Sequence, residues 1–126
     1  STPAKTVVDC VDRPDLAGGQ AEVAQIVGGA ATSVDPQELI STALRMKSKA
    51  LWQRLGFLAD LVGWQWPEEV RNELRNAIPK SQRSVFGAAE RRPEDIGYVS
   101  DWGLFVNMSE KDLLADVPQV HRVRTS

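Results

Sequence analysis

Residues 49–64 constrain this chain more than any other stretch. Leu51, Leu55, Leu58 and Val62 recur at spacings of four, three and four, which stacks them along one stripe of a helix. Ala50, Phe57, Ala59 and Leu61 add apolar surface beside that stripe, leaving Gln53, Arg54 and Asp60 as the main polar positions. The pattern predicts a central helix over about 49–63, covered on more than one side. Gly56 interrupts it at a cost of about 1 kcal/mol against alanine, which points to close approach of a neighbouring helix. Gly63 is placed to cap the C-terminus.

The flanking segments predict helices that could cover such a rod. Thr2-Pro3 is a polar cap followed by a first-turn proline, and Val7, Val8 and Val11 give the first helix its buried side to about Asp12. Arg13 to Gly19 reads as a loop, with Pro14 barring a helix and Gly18-Gly19 freeing the backbone. A second short helix is expected from Gln20 to Val27, closed by Gly28-Gly29. Asp35-Pro36 caps the next, with Leu39, Ile40, Ala43 and Leu44 inward. Lys47-Ser48-Lys49 either separates that helix from the central one or lets the two run on with a bend. After a tight corner at Gly63 to Trp66, filled by Trp64, Pro67-Glu68-Glu69 opens a helix with Val70, Leu74 and Ala77 or Ile78 inward, stopped by Pro79.

From Lys80 the helical period is lost. Ser84-Val85-Phe86 and Tyr98 to Met108 read as strands separated by a polar loop, Glu90 to Gly97. Alternation puts Trp102, Leu104 and Val106 on one face and Gly103, Phe105 and Asn107 on the other. Ser109 caps a short last helix on Leu113 and Leu114, and the tail from His121 to Ser126 is expected to fray. The expected fold is α+β and predominantly α: a single multi-helix domain spanning 1–126, with a small antiparallel β element near the C-terminus.

Composition narrows the function classes. At 126 residues, 42% apolar and 25% charged, the chain suits one globular domain with a real core. Cys10 is the single cysteine, so neither an internal disulfide nor a cysteine-based zinc cluster can form, and a cytoplasmic setting is expected. Charges break the longest apolar run, so no membrane span is expected. The net charge of −2 hides a pattern. Residues 1–44 hold two Lys/Arg and six Asp/Glu, residues 45–92 ten and five, and residues 93–126 three and six. The interleaving of these charges reads as solvated helix surface and internal ion pairs, with Arg71, Arg75, Lys80 and Arg83 the candidates for phosphate contact.

No catalytic machinery stands out. Asp9, Asp12 and Asp15 are spaced for a metal or acid–base role, but no histidine accompanies them, and capping or pairing with Arg13 or Arg54 explains them more simply. Cys10 reads as a small buried hydrophobe, the sole histidine being remote at His121. No cofactor is expected. Trp52, Arg54, Trp66, Trp102 and Phe105 are the residue types that protein interfaces use, and they form the candidate partner surface, with completion of the core as the competing role for the aromatics.

Three blocks carry a resemblance. Thr2 to Gly19 with the Ala21-Glu22-Val23-Ala24 helix, then Arg54-Leu55-Gly56-Phe57-Leu58, then Asp101-Trp102-Gly103-Leu104-Phe105-Val106-Asn107, together resemble the C-terminal domain of AbiEi-type abortive-infection antitoxins. Thr2 stands where that family has serine, valines replace leucines, Phe57 replaces a tyrosine, and Asp101 occupies a position that is commonly basic. The resemblance implies a non-enzymatic bacterial domain that helps counter a nucleotidyltransferase-like toxin. It further implies an N-terminal winged helix-turn-helix, outside this stretch, that binds operator DNA; the chain, opening at Ser1 without methionine, reads as an excised fragment. The expected partners are a cognate toxin or a second copy. Two other classes remain open: an effector or dimerisation module of a stand-alone transcription regulator, and a small metal-dependent enzyme.

Overall fold

A computed structural model describes residues 2–87, 92–115 and 117. The described elements run α1 (Pro3–Asp12), α2 (Pro14–Ala17), α3 (Gln20–Ala30), α4 (Pro36–Arg45), α5 (Lys49–Leu61), α6 (Glu68–Ala77), β1 (Ser84–Val85), β2 (Gly97–Val99), β3 (Leu104–Val106) and α7 (Glu110–Leu114). The polar loop falls partly, and the tail from His121 wholly, outside the described residues.

Helix starts follow local chemistry. The side chains of Thr2, Asp35, Ser48 and Ser109 accept from the backbone N–H of Lys5, Glu38, Leu51 and Asp112, satisfying donors that a helix leaves without an internal partner. Ser48 also resolves the junction between α4 and α5. The two are separate helices, and Lys47 between them takes a left-handed backbone with φ of 57°. Gly63 ends α5 with φ of 80°, as expected of a C-terminal glycine.

Two local expectations are corrected. Pro14 to Ala17 forms one helical turn, because proline fits a first helical position even though it bars a helix interior. Gly28-Gly29 does not close α3, which runs on to Ala30. Val23, Ala24, Val27 and Ala30 are buried along its inner side, and that packing outweighs the glycine penalty.

α5 is the rod around which the rest is built, in contact with α1, α3, α4, α6 and β3. Leu51, Leu55 and Leu58 are fully buried, each contributing about 1.5–3 kcal/mol through lost water contact. Gln53, expected as one of the polar positions, is fully buried too. Trp64 fills the corner before α6, with the Trp66 ring edge-on at 5.9 Å.

The sheet is mixed, a correction to the antiparallel expectation. Its order is β1-β3-β2, with β1 parallel and β2 antiparallel to the central β3. The segment from Tyr98 to Met108 is two strands and a turn, with Trp102 in the turn and not in a strand. Leu104 and Val106 face inward as the alternation requires. Pairing aligns Val85, Phe105 and Tyr98 in one row across the opposite face.

Gly56 does meet a close neighbour, but the neighbour is the Trp102 indole and not a helix. A Cβ at residue 56 would lie 2.5 Å from three atoms of that ring. Alanine at an unhindered helical glycine gains about 1 kcal/mol. Gly56→Ala is expected to reverse that sign and lose about 1–3 kcal/mol by overpacking. Urea denaturation checks this, and in a Trp102→Leu background the same substitution should cost less.

Candidate functional site

Gln53, Gly56 and Asp60 lie three and four residues apart, so they form a second stripe along α5 beside the leucine stripe. All three hold the turn that carries Trp102. The Gln53 amide nitrogen donates to the carbonyls of Trp102 (2.9 Å), Gly103 (3.0 Å) and Gln82 (3.3 Å), while its oxygen accepts from the Ser84 hydroxyl at 2.6 Å. Gly56 leaves room for the ring. Asp60 accepts the Trp102 indole N–H at 2.9 Å. Gly103 permits the turn, with φ of 66° and a Cβ position only 2.7 Å from the Gln82 carbonyl oxygen.

Arg71 of α6 closes this node. It reaches Asp60 at 2.8 Å and Asp101 at 3.4 Å, and its guanidinium lies 5.1 Å from the Trp102 ring centroid. The hydrogen bond to Asp60 is the main cause that raises the Arg71 pKa above its ordinary value. Arg71, a candidate for phosphate contact, is thus engaged within the fold.

Arg54 is also an internal residue. Its side chain, 15% exposed, donates to the carbonyls of Val11 (3.3 Å) and Asp12 (3.4 Å) and lies 3.9 Å from the Asp12 carboxylate. A cation there meets the negative end of α1 and its last carbonyls. Burial lowers the Arg54 pKa, partly countered by Asp12.

The five candidates for a partner surface therefore separate. Trp102 is only 2% exposed and belongs to the core, because the glycine beneath it admits the ring. Arg54 caps α1. Trp52 is half-buried and donates its indole N–H to the Ala43 carbonyl at 2.9 Å. Trp66 and Phe105 are also half-buried. The Trp66 indole nitrogen has no hydrogen-bond partner among the described residues, and the residue lines a concave corner with Asp60, Gly63, Trp64, Gln65 and Arg71. Val85 and Tyr98, on either side of Phe105, are 59% and 49% exposed. Neither was singled out in the sequence, although strand alternation placed Phe105, the residue between them, on that outer face.

The remaining phosphate candidates stay together. Arg75, Lys80 and Arg83 line one pocket between the end of α6 and the β2–β3 turn. The three aspartates near the start do not converge: Asp9 pairs with Lys5 at 2.6 Å, Asp12 with Arg54, and Asp15 with Arg13 at 3.5 Å. Among the described residues no group of three or more His, Cys, Asp or Glu is arranged to hold a metal ion. No described helix is long and apolar enough to cross a membrane. Cys10 is partly buried.

If Arg54 is a cap, Arg54→Met should lower stability by about 1.5–3 kcal/mol, the worth of a hydrogen bond from a charged donor. Arg54→Lys should recover only part of this, because an ammonium cannot reproduce the planar fork. Chemical denaturation of the two variants checks it, an unchanged midpoint in Arg54→Met being the contrary result.

The family model described as the AbiEi antitoxin C-terminal domain matches residues 1–61. No curated protein and no solved structure matches the chain.

Proposed function

We propose that the chain acts as one non-enzymatic unit that helps neutralise a toxin protein, because its residues 1–61 match the model of the AbiEi antitoxin C-terminal domain. The family match is the observation that carries this reading. It supports an antitoxin role; the toxin's identity as a nucleotidyltransferase-like protein, a cytoplasmic bacterial setting and a part in transcriptional control are the finer elements of the proposal.

The proposed docking surface for the toxin is the corner at Trp66 together with the outer face of the sheet. Trp66 brings a half-buried aromatic body at the rim of the corner, where a partner could cover its accessible ring surface. Phe105, flanked by Val85 and Tyr98, adds an outward apolar row. Tryptophan at the rim of a concave corner is the kind of anchor that dominates protein–protein affinity. Arg54 and Trp102 act through the fold and not through contact.

Co-expression of the protein with a candidate nucleotidyltransferase-like toxin tests the role. Growth should be restored by the wild type and lost with Trp66→Ala or Phe105→Ser, each weakening the complex about thirtyfold, a change of about 2 kcal/mol. Failure of the wild type to restore growth would reject the antitoxin role in favour of an effector or dimerisation module. Rescue by both variants at full affinity would reject the proposed surface alone.

A further inference from the structure

We infer that the pocket between the C-terminal end of α6 and the β2–β3 turn binds the phosphate and base of one nucleotide unit. That unit is either a free nucleoside 5′-phosphate or one residue of a single-stranded nucleic acid. The inference does not rest on the antitoxin reading, and the pocket lies outside the residues that match the family.

The pocket is an open concavity of about 360 Å³, within the range of small-molecule sites. Arg75, Lys80 and Arg83 converge on it in a chain whose net charge is −2. Its described lining holds a single carboxylate, Asp101, and that group is engaged by Arg71 at 3.4 Å. Arg75 and Lys80 have no carboxylate partner among the described residues. Like charges gathered in a concavity repel one another, and an anion placed between them removes that penalty.

The pocket also offers a flat surface. Arg83 donates to the carbonyls of Lys80 (2.7 Å) and Gln82 (3.0 Å), which fixes its guanidinium 5.6 Å from the ring centroid of the exposed Tyr98. A planar cation held over a phenol ring is a platform for a base, and stacking of this kind is tolerant of base identity. Ser100, Gln82 and Asn76 supply hydrogen-bonding groups around it. An acidic peptide would answer the cations but leave the platform unused. A duplex would answer the phosphate contacts but keep its bases stacked away from Tyr98.

The full chain is titrated with AMP, with labelled short oligoadenylate and oligothymidylate, and with a hairpin duplex, using polyglutamate as competitor. Single strands or AMP should bind, the duplex more weakly, and polyglutamate should compete poorly. Arg75→Ala and Lys80→Ala should each weaken binding about fivefold or more, and together lower the slope of log K against log salt for the single strand by about 1.4. Tyr98→Ala should weaken binding about fivefold or more, with Tyr98→Phe close to wild type. All three positions are exposed, so melting temperatures should not move. AMP saturating by itself identifies a free-nucleotide site, and binding by strands alone a strand-binding site; either supports the inference. No binding by any nucleotide probe, equal binding of duplex with no effect of Tyr98→Ala, or displacement by polyglutamate as effective as by oligonucleotide would each overturn it.

Discussion

The contact on which the rest depends is an indole lying flat on a missing side chain. Gly56 leaves α5 without a Cβ where Trp102 arrives, and the ring fills the space at a distance no larger residue would allow. Gln53 and Asp60, one turn away on either side, fasten the backbone and the indole N–H of the same turn. A buried glutamine amide is tolerable only when its donors and acceptor are met, and here the Trp102, Gly103 and Gln82 carbonyls and the Ser84 hydroxyl meet them. The C-terminal sheet is thereby attached to the central helix through polar contacts of fixed geometry as well as apolar packing, and such contacts define a register that oily contact alone would leave loose.

The three blocks that resemble the antitoxin family come together on this helix. Arg54 ties the end of α1 to α5; Gly56 seats Trp102; Phe57 meets Phe86 edge-on at 5.3 Å; Leu55 and Leu58 fill the core. Asn107, last of the third block, exchanges two hydrogen bonds with the Gly87 backbone at 2.7 and 2.8 Å, continuing the parallel pairing of β1 and β3 past the strand end. The match covers residues 1–61, and the third block lies beyond it. Its residues are nonetheless seated on matched ones, which gives the motif a physical reason to persist wherever the glycine does.

What was legible in the sequence was what local chemistry decides. Thr2, Asp35 and Ser109 announce helix starts because each offers an oxygen to amides that nothing else can satisfy. The leucine spacing of α5 announces burial because only one face of a helix can carry it. Gly28-Gly29 misled because a helix end and a close-packed helix interior both favour glycine, and only the neighbours decide between them. Trp102 and Gly56 could each be noticed, but not that they meet, since the 45 intervening residues carry no local sign of the contact. The stripe of Gln53, Gly56 and Asp60 was present at helical spacing, yet polar residues at such positions normally mark solvent. The clustering of Arg75, Lys80, Arg83 and Tyr98 was partly visible as a basic segment; Tyr98 joins it only through the β2–β3 turn.

The central claim is that the sheet and the helix form one cooperative unit through this seat. Native-state hydrogen exchange tests it most directly. The amides of β3 and of the middle of α5 should open with the same free energy, equal to that of global unfolding and with the same dependence on denaturant. Exchange of β3 through a local opening well below the global value, with α5 still protected, would contradict it.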